Sequence, residues 1–276
     1  MNTHIPQTTQ WFLIRILVII ILIGILYGIS SLPSGPEIDN NQKTQATFAV
    51  ITKSETTDFY TLDAQYPSDP RDRNGIITTW AENIINKTQQ DWKTGGELQL
   101  SEAQLSVEFP DRPQMQYSLN IDYTRHESVK LGTVSYVMQN YEFTGGAHGN
   151  TGLKTFTFND DGIIDLSAVL TINETTSVNL ANIIRNTLTQ SLGDMSDEGM
   201  IRDGLDCAYI NDSDTQICDA SALAQNLQNF YITDTGITFI FGQYQVAAYA
   251  VGMPEVTLTW SELAPFMNTG FDLPLD

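Results

Sequence analysis

One apolar run near the N-terminus limits what this chain can become. Trp11 to Ile29 reads WFLIRILVIIILIGILYGI, interrupted by a single charge, Arg15, and a helix needs ~20 such residues to cross a bilayer. Arg15 lies one turn from the start, where its stem can snorkel to the cytoplasmic headgroups and supply the positive-inside signal. The rival reading is a cleaved signal peptide, with Ile16 to Ile29 as its h-region and Gly28, Ser30 and Ser31 as small residues at the cleavage position. Length favours the anchor. Either way the remainder is exported, as the C-terminal ectodomain of a single-pass membrane protein or as a secreted one.

Charge narrows the partners of that exported part. The 276 residues carry 13 Lys and Arg against 33 Asp and Glu, a net charge of −20, and every acidic group lies beyond residue 36. Nucleic acid is excluded as a partner, because phosphate neutralisation needs clustered Lys and Arg; a basic partner is compatible. With 41% hydrophobic residues the chain can bury a core. Two Cys and three His cannot build a cysteine-rich zinc module, and no metal or cofactor is expected. Cys207 and Cys218 flank a short polar stretch that an oxidising compartment can close with a disulfide, worth ~3 kcal/mol in the chain-entropy model. The bland alternative is two buried thiols; a redox pair would need C-x-x-C spacing.

Residues 1–32 thus form the anchor or signal and 33–45, rich in Pro, Asn and Gln, a linker. Beyond it, strands are expected from Ala46 to Thr52 and through Tyr60, Leu62, Ala64 and Tyr66, which alternate with polar residues. Ile76, Trp80, Ile84 and Ile77, Ala81, Ile85 recur every four residues, which predicts a helix over 75–93 ended by Gly95 and Gly96. Further alternations run through Leu105, Val107, Phe109, then Tyr117 to Tyr123, then Val134, Tyr136, Met138. Asn159 to Gly162 marks a hairpin, and Leu180, Ile184, Leu188, Leu192 a helix ending at Gly193. Asp194 to Asp219 reads as a solvated acidic insertion; Asp212 and Asp214 start an EF-hand-like spacing that Gln216 and Ile217 break. Leu223 and Leu227 mark a short helix, Ile237, Phe239, Phe241 and Val256, Leu258, Trp260 the last strands, and Ser261 a helix cap. The fold class is α+β, with antiparallel sheets and packed helices.

Chemistry-bearing residues are few. His126 precedes Glu127, but the second His of H-E-x-x-H would fall at Lys130, and no G-x-S-x-G is present; His126 reads as part of a solvated turn. Trp80 and Trp260 read as core residues, and Trp92 as a core residue or sugar platform. The densest signal is YEFTGGAHGN, Tyr141 to Asn150, where three glycines in five residues demand unusual backbone angles or close approach. Its simplest account is a tight connection with His148 hydrogen-bonded into it; the sharper one is a ligand-binding loop through Gly145, Gly146 and His148.

YEFTGGAHGN, the following TFTFNDDGIIDLSAVL and the closing FGQYQVAAYAVGMPEVTLTWSEL resemble the extracytoplasmic domain family of the anti-sigma factor RsiV, with a PdaC-like N-terminal part. The resemblance spans about residues 46 to 266. It implies a PdaC-like domain over 46–150 and an RsiV C-terminal-like domain over 151–276. In that family the exported part recognises lysozyme, a basic protein. Too few residues precede Arg15 for a sigma-binding domain, and the PdaC catalytic domain would follow where this chain stops, so neither activity is carried over. The expected function is a membrane-anchored, non-enzymatic cell-envelope protein that binds a basic protein such as lysozyme, or cell-wall glycan (peptidoglycan). The alternative is an envelope polysaccharide hydrolase or deacetylase using His148 with carboxylates such as Asp160, Asp161 or Asp165.

Overall fold

Alternation of apolar and polar residues builds the larger sheet. The computed structural model describes residues 48–57, 60–94, 117–209 and 216–271; Trp11 to Ile29, the linker and the strand expected at Leu105 to Phe109 lie outside them. Strands β1 (Ala49–Thr56), β2 (Tyr60–Ser68), β3 (Tyr117–Ser128), β4 (Thr133–Phe143), β5 (Asn150–Asn159) and β6 (Gly162–Ile163) lie side by side in sequence order. Between β2 and β3 runs helix α1 (Ile76–Thr94), begun where Asp72 accepts the backbone N–H groups of Ile76 and Ile77. Ile77, Ala81, Ile85 and Trp92 of α1 are buried against Tyr60, Leu62, Ala64, Tyr66, Leu119, Ile121, Tyr136 and Phe156.

This sheet is mixed, which corrects the antiparallel expectation. β2 and β3 are parallel, with Leu62 opposite Leu119. The physical reason is the crossover: a long connection carrying a helix returns the chain in the same direction, whereas a hairpin reverses it. Among the described helices none is long and apolar enough to cross a membrane.

A second layer follows in helix α2 (Leu166–Val169), α3 (Ser177–Leu192), α4 (Glu198–Gly204), strands β7 (Cys207–Tyr209) and β8 (Gln216–Cys218), helix α5 (Ala220–Asn226), strands β9 (Phe230–Ile232), β10 (Gly236–Ile240) and β11 (Glu255–Thr259), and helix α6 (Trp260–Leu263). β9, β10 and β11 form an antiparallel sheet. Leu180, Ala181, Ile184 and Leu188 of α3 are buried with Ile237, Phe239, Val256 and Leu258 in a second core. Asp194 to Asp219 is therefore not a bare loop: it holds α4, capped by Asp197, and the β7–β8 pair. The last helix is capped by Thr259, not Ser261, through a reciprocal box with Glu262. Cys207 and Cys218 are directly opposed across β7 and β8 and form a disulfide.

The two layers meet edge on face. β9 is the outer strand of its sheet, and its outward N–H groups need acceptors. The Phe230 N–H donates to Thr155 Oγ1 at 2.9 Å and the Ile232 N–H to Ser135 Oγ at 3.1 Å. Asn229 Oδ1 accepts the Thr155 N–H, and Asp234 Oδ1 accepts from Ser128 Oγ and the Lys130 N–H. Ser128, Thr133, Ser135, Thr155 and Thr157 are all buried.

Thr155→Val keeps the shape of the side chain but strands the Phe230 N–H. It should lower unfolding free energy by ~1–3 kcal/mol in urea titrations, whereas an exposed threonine on β1, Thr52→Val, should change it by less than ~0.5 kcal/mol. Removing the disulfide as Cys207→Ser with Cys218→Ser should cost ~3 kcal/mol by the same measurement.

Candidate functional site

The Gly-rich loop joins β4 to β5, whose last pair sets Glu142 opposite Asn150. Gly145 and Gly146 take φ of 96° and 95°, backbone that side chains other than glycine's rarely adopt. Gly149 is needed for a different reason: a Cβ there would lie 2.5 Å from the Glu142 carbonyl oxygen and 2.5 Å from the Tyr141 ring.

Gly149 is also where a second loop arrives. Its N–H donates to the Tyr141 hydroxyl at 3.2 Å, and its carbonyl accepts the Tyr249 hydroxyl at 3.2 Å. His148 Nδ1 is 3.0 Å from the same carbonyl, a bond that places the ring proton on Nδ1. The imidazole stacks on Tyr249 with centroids 4.1 Å apart and planes 25° apart, and Tyr244 follows at 5.5 Å from Tyr249. His148 and Tyr244 are exposed and Tyr249 half-buried, so the three rings make one solvent-facing aromatic surface.

Tyr244 sits at φ 65°, strained backbone for a bulky residue, at a cost of ~1–3 kcal/mol. Its neighbours hold it there. Gln243 Oε1 accepts the Thr151 N–H, while Gln245 Oε1 accepts the Gly242 N–H and its Nε2 donates to the Asn226 carbonyl. The loop between β10 and β11 is thus tied on both sides of the strained residue.

The other expected groups do not join this surface. Asp160 and Asp161 lie at the far end of β5, about ten residues and ~33 Å of strand from His148. The Asp160 carbonyl accepts from Arg73, and Asp165 is exposed at the N-cap of α2. Among the described residues no three His, Cys, Asp or Glu side chains converge as metal ligands would. Trp92 is buried against Tyr60 and is a core residue; Trp80 and Trp260 pack half-buried against the two cores. Tyr244 was not singled out by the sequence reading. The available signal was FGQYQ, an aromatic between two amides in an aperiodic stretch between strands.

His126 is not in a solvated turn. It lies in β3, stacked on Tyr231 with centroids 3.7 Å apart, and Tyr231 donates to Glu255. Burial holds its pKa below the ordinary 6.5 against a weaker upward pull from Glu255.

With this geometry the chain defines an α+β protein of two layers whose joining loops carry an exposed aromatic face. Residues 53–151 match the family profile described as deacetylase PdaC, and residues 172–261 that of a protein of unknown function, DUF3298. A DUF3298-family protein from Bacteroides fragilis superposes with a TM-score of 0.55 at 17% identity, covering 81% of this chain and 94% of its own. Another from Pseudomonas aeruginosa PAO1 gives 0.52 at 13% identity, covering 84% and 98%. At these identities the likeness is one of fold. No curated protein matches the chain.

Because the folded state disfavours protonated His126, its contribution to stability is full above 6.5 and falls as pH drops through that value toward the depressed folded pKa. The difference in melting temperature between pH 7.5 and pH 5.5 should therefore narrow in His126→Phe; an unchanged difference would contradict this.

Proposed function

We propose that this is an exported, envelope-associated recognition protein that works without catalysis. Its ligand-contacting face is the Gly145–Gly149 loop with His148, Tyr244 and Tyr249, and its ligand is cell-wall glycan. The observation that carries the reading is Tyr244: an exposed aromatic ring is held in strained backbone beside the His148–Tyr249 stack. Strain of that kind persists where the surroundings over-determine it, and it gathers at ligand clamps. Ring faces offer the apolar C–H side of a sugar a flat platform, and the phenol hydroxyls offer it hydrogen bonds. Support for envelope association comes from the PdaC and DUF3298 matches, the resemblance to the RsiV ectodomain family and the apolar run at Trp11 to Ile29.

A second reading, a basic protein such as lysozyme, is favoured by charge. Beyond residue 150, Lys154, Arg185 and Arg202 stand against seventeen Asp and Glu, and Arg185 and Arg202 are already paired with Glu198 and Asp203. Among described carboxylates only Asp69 is buried. Such a surface steers a cationic partner.

Titrating the full-length protein with peptidoglycan fragments and with lysozyme, at low and high salt, separates these cases. Glycan binding should change little with salt and weaken about tenfold, ~1.4 kcal/mol, in Tyr244→Ala. Binding of lysozyme alone, lost at high salt as charges are screened beyond ~8 Å and indifferent to Tyr244→Ala, would establish the second reading instead. Release of acetate from acetylated glycan, abolished by His148→Ala, would overturn the non-catalytic reading.

A further inference from the structure

A cavity of about 540 Å³ opens beside β5, within the size range of small-ligand pockets. β6 pairs with Phe158 and Asn159 alone, so among the described residues no strand extends the sheet past β5 from Lys154 to Thr157. The chain after Ile163 and helix α5 line the space instead. Its inner wall is apolar and drawn from both cores: Phe156 from the first, Ile164, Leu166, Leu170 and Phe230 from the second, all buried. Gln225 and Gln228 are exposed and Lys154 half-buried, so these polar groups stand at the mouth. Lys154 Nζ donates to Gln228 Oε1 at 3.3 Å, and the Gln228 N–H donates to the Gln225 carbonyl at 3.3 Å.

Lys154 is the group that selects a ligand. The chain has 33 acidic against 13 basic residues, and Lys53, Arg71, Lys87, Arg125, Arg185 and Arg202 each pair with a carboxylate. Lys154 has only the neutral Gln228 amide. A half-buried ammonium has lost part of its hydration, and an anion beside it makes stronger, charge-assisted hydrogen bonds than an amide oxygen does. Asp165 also lines the cavity, but it is exposed and makes no capping bond to α2, so its charge stays solvated. One unpaired cation with a carboxylate in the same wall suits a ligand carrying a single negative charge.

We infer that this cavity binds an aliphatic monocarboxylate of the fatty-acid type. The Lys154 ammonium and the side-chain amide N–H groups of Gln225 and Gln228 donate to its carboxylate, and its tail lies on Phe156, Ile164, Leu170 and Phe230. A phosphate head would bring a second negative charge against Asp165, and a cationic head would meet Lys154. A sugar would bury hydroxyls against an apolar wall that offers them no partner.

The test is calorimetric titration of the full-length protein with hexanoate, octanoate, octylamine and octyl phosphate. Octanoate should bind, and hexanoate about tenfold more weakly, since each methylene that leaves water for the wall raises affinity about fourfold. Octylamine and octyl phosphate should each bind at least tenfold more weakly than octanoate. Lys154→Met should weaken octanoate binding about tenfold and Lys154→Arg by less than threefold, with circular dichroism and melting temperature near wild type in both. Ala224→Phe, which fills the cavity from α5, should abolish binding. Tyr244→Ala should leave octanoate affinity within twofold, so failure here is distinct from failure of the glycan reading. No octanoate binding at millimolar concentration, equal affinity for octanoate and octylamine, or octanoate affinity unchanged in Lys154→Met would overturn the proposal.

Discussion

The architecture rests on a hydroxyl-bearing sheet face that accepts the edge of another sheet. An outer strand normally gives its spare N–H groups to water, and burying them without acceptors costs ~1–3 kcal/mol each. Here Ser135 and Thr155 stand where β9 lands and take those donors, while Ser128 and Asp234 fasten the end of the seam. Two hydrophobic cores, one under α1 and one under α3, are thereby locked at fixed positions. Neither core explains this by itself, because apolar burial has no direction; the hydroxyls supply the register.

The candidate aromatic face sits across the junction of the two layers. Gln243 reaches across it to Thr151, and Tyr249 reaches across it to Gly149, so the aromatic face is assembled from both layers. A cavity of about 540 Å³ lined by Lys154, Phe156, Ile164 and Phe230 lies farther along β5. A strained Tyr244 is sustainable only because its neighbours are tied to separate partners, Thr151 on one side and Asn226 on the other.

Much of the fold was legible in the sequence because it follows local periods. The four-residue recurrences gave α1 and α3, Gly193 gave the end of α3, and Asn159 to Gly162 gave the β5–β6 turn. The seam was not legible. Ser135, Thr155 and Thr157 alternate with apolar residues as a solvent-facing set does, and only tertiary contact buries them. The parallel β2–β3 pair was hidden for a similar reason, since direction depends on where the crossover returns. Thr259 outcompeted Ser261 as a cap because Glu262 stands three residues after it. Of the loop site, Gly145, Gly146 and His148 were readable from glycine density, whereas Tyr244 depends on a backbone angle that no residue type announces.

The disulfide has a meaning for the integrity of the chain as well as for its stability. Cys207 and Cys218 face each other as a cross-strand pair, so the disulfide closes the polypeptide between them into a covalent ring. If the proposed export holds, the chain meets proteases, and the sequence between the two cysteines is polar and acidic. A cut inside this ring would leave both halves of the chain covalently joined, with the second core and the seam still sharing one molecule. The pair therefore acts as a covalent splice across the chain between the two cysteines, and a cut there would become visible only after reduction.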